Sequence, residues 1–130
     1  MNHLLQHMDK VFKGVSSNGQ VLVALDFDGT LAEIVPDPAD ATLPESIYKL
    51  LDALNNQPRF AVAVVSGRSL VDLKERVKLP DVAYVGDHGL EISGPGFHHI
   101  PPEAEEFRTT VAEIGEALEA ALKGISGVIF

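Results

Sequence analysis

An α/β fold built on parallel strands follows from three observations in the sequence. Val21–Leu25 and Phe60–Val65 are apolar throughout, short and bounded by turn residues, as strands buried in a parallel sheet are. Each is followed by residues of helical period, so strand and helix alternate along the chain. Both runs, and a third at Val82–Val85, end abruptly in polar residues and glycine. In such sheets the carboxyl ends of the strands are where ligands bind.

Taken in order, Leu4, Leu5, Met8, Val11, Phe12 and Val15 fall at helical spacing and predict an amphipathic helix. Ser16 to Gly19 break it before the first strand. That strand leads into Asp26-Phe27-Asp28-Gly29-Thr30-Leu31. Carboxylates two residues apart leave an extended chain on one face, so Asp26 and Asp28 are expected to converge. Such a pair repels itself unless a cation or a shared proton lies between. Gly29 allows a sharp turn there and Thr30 can hydrogen-bond it.

Pro36 and Pro38 then force an extended connection. Thr42 and Glu45 have capping-box spacing, and Ile47, Leu50, Leu51 and Leu54 mark a core-facing helix ended by Asn55 to Pro58. The second strand runs into Ser66-Gly67-Arg68-Ser69, with Leu70, Leu73 and Val77 on a helix beyond. A hydroxyl and a glycine at a strand-to-helix junction offer N–H groups to an anion; equally, Ser66 and Ser69 can simply cap the helix.

The third strand ends in Gly86-Asp87-His88-Gly89-Leu90-Glu91, at the same sheet edge as the two earlier motifs. Ile92 to His98 reads as a hairpin turning at Gly94-Pro95-Gly96, with His98 and His99 on the surface. Pro101-Pro102 opens the longest helix, whose expected buried face is Phe107, Val111, Ile114, Leu118 and Leu122 and whose stop is Gly124.

A chain of 130 residues, 45% hydrophobic, is one small globular domain at most. Its net charge of −9 argues against nucleic-acid or anionic-membrane partners. It does not exclude an anionic small substrate, because a metal inverts the local field. With no cysteine there is neither a disulfide framework nor thiol chemistry. No apolar run approaches ~20 residues and the start lacks a signal-peptide pattern, so a cytoplasmic location is expected.

The wording Asp26-Phe27-Asp28-Gly29-Thr30-Leu31 resembles the first motif of the haloacid-dehalogenase superfamily of phosphohydrolases. Val65 to Arg68 resembles its second motif. With the spaced prolines up to Ala41 and the block Gly86 to Glu91, the chain closely resembles the trehalose-6-phosphate phosphatases. This resemblance implies a haloacid-dehalogenase-like Rossmannoid fold of three layers, a parallel sheet with helices on both faces, here partial. Asp26 would be the nucleophile, forming an aspartyl-phosphate, and Asp28 the general acid and base. Mg2+ would bind at Asp26 and Asp28. Gly29, Thr30, Ser66, Gly67 and Arg68 would hold the phosphate, with His88 and Glu91 on the substrate side. The implied ligand is a small phosphorylated sugar.

On this reading residues 1–20 are a lead-in, 21–123 a partial core, and 124–130 the possible first strand of a cap domain. The family goes on to a cap, a catalytic lysine and an acidic Gly-Asp-Asp turn. None of the six lysines here lies at the carboxyl end of a predicted strand. Asp87, where the family pattern suggests a small polar residue, is the one candidate to complete the metal site. The chain therefore resembles the amino-terminal part of such an enzyme. The open sheet edge beside Asp26 invites self-association. Loss of each electrostatic donor costs about 2.7–4 kcal/mol of transition-state stabilisation. The resemblance leaves three readings: a magnesium-dependent phosphatase of trehalose 6-phosphate, feeble in isolation; a non-catalytic fragment or remnant of such an enzyme; and a phosphatase of the same superfamily acting on another small phosphate ester.

Overall fold

Three apolar strands paired in parallel organise the protein. The structure is a computed structural model and describes residues 7–17 and 19–128. In chain order these form α1 (Met8–Ser17), β1 (Val21–Asp26), α2 (Glu45–Asn55), β2 (Phe60–Val65), α3 (Leu70–Val77), β3 (Ala83–Gly86), β4 (Glu91–Gly94), β5 (Phe97–His99) and α4 (Pro102–Leu122). A short 3-10 turn over Pro38–Asp40 lies in the first crossover. The expected helix residues Leu4 and Leu5 lie outside the described residues.

The strands follow one another in the order β1-β2-β3-β4-β5. β1, β2 and β3 are parallel, and β4 turns back antiparallel to β3. The sheet is thus mixed, with the α/β character the alternation predicts. Successive right-handed crossovers that advance in one direction put both their helices on the same face. Accordingly, Leu51 of α2 and Leu70, Leu73 and Val77 of α3 join one core with Val62, Val64 and Tyr84. A helical layer on the second face is contributed by neither α2 nor α3.

That one-sidedness corrects the expectation for β1. Its burial alternates along the strand, and Leu22 is 67% exposed. Within the sheet β1 is an edge strand, with no neighbour beyond it among the described residues. Leu50 of α2 also faces outward. The capping box is not formed either: α2 begins at Glu45 behind Pro44, which makes no side-chain cap. Ser69 does cap α3, its hydroxyl accepting from the Asp72 amide at 3.2 Å.

Two compact units divide at His98 and His99. The second consists of α4 and the residues after it. Its expected stripe of Phe107, Val111, Ile114 and Leu118 is present, but none of the described residues of that unit covers it. The described part of 124–130 is turn, and Ile129 and Phe130 lie outside the described residues. No helix among the described residues is long and apolar enough to cross a membrane.

Candidate active site

The site grows out of the loop after β1. Phe27, completely buried, anchors it in the core between two exposed acids. Its carbonyl accepts from the amides of Leu31 at 3.0 Å and Ala32 at 2.9 Å, while the Gly29 amide donates to Ala32 O at 2.8 Å. The knot closes because Gly29 takes φ 82°, a left-handed conformation costly for a side-chain-bearing residue.

The two acids find different partners. Asp26 accepts one long bond, 3.4 Å, from the Thr30 hydroxyl. Asp28 is gripped by Arg68, whose Nη2 donates at 2.7 Å to Oδ1 and whose Nε donates at 2.9 Å to Oδ2. Ser66 Oγ also donates to Asp28 Oδ2, at 3.4 Å. The guanidinium holds the Asp28 carboxyl below the usual carboxylate range, against a smaller opposing effect of burial. Arg68, itself only 13% exposed, lies 5.6 Å from the centroid of the Phe27 ring.

Parallel register brings the second motif alongside. Asp26 pairs with Val65, so Ser66 to Arg68 emerge next to the acid loop. Ser66 is buried and its hydroxyl accepts from the Arg68 amide at 3.1 Å. The third motif closes over the second: the Asp87 amide donates to Arg68 O at 2.7 Å and the His88 amide to Ser66 O at 3.3 Å. The His88 ring then lies so close to Gly67 that a Cβ there would overlap it. A glycine at 67 is what admits the imidazole.

A cleft of about 370 Å³ lies here, lined by Asp28, Ile34, Val35, Pro38, Gly67 and Arg68. Of the backbone amides expected to hold phosphate, those of Gly29, Thr30 and Arg68 already bond within the chain. The Gly67 amide makes no hydrogen bond among the described residues. The structure therefore brings Asp28, Ser66, Gly67, Arg68 and His88 together. Glu91 is engaged otherwise, its Oε1 2.8 Å from His98 Nε2. His98 is on the surface as expected, yet it has this partner.

Magnesium needs several oxygen ligands in near-octahedral array. Among the described residues no group of three His, Cys, Asp or Glu side chains is placed to hold a metal. Asp26 and Asp28 would supply two carboxylates, one of them occupied by Arg68, and Asp87 does not join them in such a group. Magnesium is commonly held by one or two carboxylates completed by phosphate and water, so Asp26 and Asp28 are the side chains that would hold it here, Asp28 on release from Arg68.

Sequence reasoning missed two residues next to the site. Asp72 accepts from Arg68 Nη1 at 2.9 Å and from Arg76 Nε at 2.9 Å. The signal was present: 68, 72 and 76 succeed one another at i, i+4 with alternating charge.

Known proteins resemble this chain in sequence and in fold. The trehalose-phosphatase family model matches residues 24–130. A trehalose-phosphate phosphatase of Mycobacterium ulcerans is 40% identical over 108 residues, which is 82% of this chain and 27% of that protein. An uncharacterized glycosyl hydrolase of Mycobacterium tuberculosis is 42% identical over 108 residues, 82% of this chain and 8% of that one. Among solved structures, a trehalose-6-phosphate phosphatase related protein shares the fold with a TM-score of 0.74 at 23% identity, covering 84% of this chain and 46% of its own. The chain spans little more than a quarter of the Mycobacterium ulcerans phosphatase. It belongs to the trehalose-phosphatase family.

Proposed function

We propose that the edge formed by the ends of β1 and β2 binds a phosphate monoester, trehalose 6-phosphate, and that Asp26 is the nucleophile that attacks it. The observation that supports this is the unequal treatment of the two acids. Arg68 neutralises Asp28, while Asp26 keeps one weak contact and stays exposed for attack. Ser66 Oγ, the Gly67 amide and the Arg68 guanidinium are the donors for the phosphate oxygens, the first and last of them engaged with Asp28.

In the first step Asp26 Oδ bonds to phosphorus as the bond to the sugar oxygen breaks, and that oxygen takes up a proton. Water then adds to the aspartyl-phosphate, gives up a proton, and releases phosphate with Asp26 restored. Asp28 is the group for both transfers. Beside Arg68 it is kept ionised but is a weaker base, so it must leave the guanidinium to take the proton from water. Donation in the first step requires that it leave Arg68 and be protonated. Magnesium belongs to the reading as the family's cofactor, and no step above runs through it.

The test is phosphate release from trehalose 6-phosphate by the 130-residue chain, with and without magnesium. Glucose 6-phosphate and sucrose 6-phosphate run in parallel, and Asp26→Asn serves as the blank. Slow release that prefers trehalose 6-phosphate and vanishes in Asp26→Asn is expected. Release no faster than the blank overturns the catalytic reading. It leaves a chain that binds phosphate without cleaving it, a reading favoured by the clamped Asp28.

A further inference from the structure

We propose that Asp72 and Arg76 are positioning residues: with Arg68 they form a ladder that fixes the Pro38–Ala41 stretch as one wall of the cleft beside Asp28. Three carbonyls of that stretch are held by these arginines. Arg68 Nη2 donates to Pro38 O at 2.8 Å, and Arg76 Nη1 donates to Ala39 O at 3.0 Å and to Ala41 O at 2.6 Å. Asp72 stands between the arginines and receives both, with Arg76 Nε 2.9 Å from each of its oxygens. Pro38 lines the cleft; Asp72 and Arg76 do not.

Ala41 is buried in the core at one end of the wall, but Pro38 to Asp40 have little else to fix them. The wall's 3-10 turn buries none of residues 38–40, and its own bonds are local, Asp40 N to Asp37 O at 3.0 Å and Ala41 N to Pro38 O at 3.4 Å. Charge-assisted donors are the strong anchors available to such a stretch. A guanidinium alone can serve a carboxylate and a carbonyl at once in one rigid plane; an ammonium cannot. Arg68 therefore has a double engagement, with Asp28 on one side and the wall on the other, and Asp72 sets its angle. Losing Arg76 would free the wall and let Arg68 swing without altering any cleft-lining residue.

The ligand half of this inference rests on the phosphate-binding reading above; the wall half does not. The experiment uses the whole 130-residue chain as wild type, Arg76→Gln and Arg76→Lys. Amide hydrogen exchange is read at Asp40 and Ala41, with Val62 to Val64 of β2 as reference. Inorganic phosphate is then titrated while the Gly67 amide resonance is followed. In Arg76→Gln, exchange at Asp40 and Ala41 should quicken about tenfold and the phosphate dissociation constant rise about tenfold, with β2 unchanged. Arg76→Lys should recover only part of either.

Unchanged exchange at Asp40 and Ala41 overturns the ladder, as does an equal rise in β2, which would signal general loosening. A loosened wall with unaltered phosphate affinity overturns the positioning role. Should the wild type not bind phosphate at all, the proposed function falls and exchange alone decides the ladder. If Arg76→Gln does not fold, Asp72→Asn, which keeps the side-chain shape, is held to the same outcomes.

Discussion

The loop after β1 has two flanks that differ more than its sequence suggests. On one, Asp28 is the end of an alternating chain of charges, Asp28–Arg68–Asp72–Arg76, closed by the backbone of residues 38–41. On the other, Asp26 has Thr30 and open surface. Two neighbouring acids need compensating charge, and a guanidinium meets that need for one of them. A carboxylate held by a fork is oriented and ionised but not available as a nucleophile; an unclamped one is available but must be positioned by the strand alone. The contrast teaches that the reach of one arginine sets the two strand-end acids apart.

The largest way to break the contrast is to remove what separates the flanks. Phe27→Ala deletes a fully buried ring that anchors both acids and lies beneath the Arg68 guanidinium. It should destabilise the fold by about 3–5 kcal/mol, read as a lower urea midpoint at unchanged slope. A loss below about 1 kcal/mol would mean that the loop is held by its backbone knot, not by the ring.

Next in size is Arg68→Met, which keeps most of the stem and deletes the fork. Asp28, Asp72 and Pro38 O each lose a donor. Because the acid side chains are 40% and 34% exposed, solvent takes over part of the loss. The expected cost is about 1–3 kcal/mol. An equal cost for Asp26→Asn would erase the contrast between the flanks.

Acid sharpens the same comparison. Asp28 is held below the ordinary value of 3.8 by hydrogen bonds from Arg68, and Asp72 below it by hydrogen bonds from Arg76 and then Arg68. Groups depressed on folding contribute stability that is present above the unfolded value and lost as pH falls through the folded one. Stability should thus decline as pH drops below about 4, and the decline should be shallower in Arg68→Met. Tyr84 acts with the opposite sign: burial raises its pKa from 10.0, so its contribution is lost as pH rises past that value. An acid limb equally steep in Arg68→Met would show that other carboxylates set it.

How much of this was legible in sequence depends on whether the cause was local. The boundaries of β1 and β2, the turn at Gly96 and the end of α4 near Gly124 follow from apolar runs and from glycines at positive φ. The exposure of Leu22 was not legible, because it depends on strand order, and an apolar run reads the same whether one face of its sheet is covered or both. The Asp28–Arg68 pair spans 40 residues and exists only through the register of β1 on β2. Asp72 and Arg76 were legible in part: their spacing announced a charged helix face, but not the carbonyls they reach. His98 looked like a surface residue and is one; its bond to Glu91 needed the hairpin register.

The smallest effect is expected on the quiet flank. The Thr30 hydroxyl reaches Asp26 at 3.4 Å on an exposed surface, a length at which a neutral donor contributes little. Thr30→Val keeps the β-branched shape and removes that donor, so stability should change by less than about 0.5 kcal/mol. The functional effect should nonetheless be visible, since the hydroxyl is the single side-chain group that orients Asp26 among the described residues. If Asp26 is the nucleophile, phosphate release should slow in Thr30→Val at unchanged urea midpoint. If release is unaltered, the strand end alone aims the carboxylate, and the flank without an arginine needs no partner to do its work.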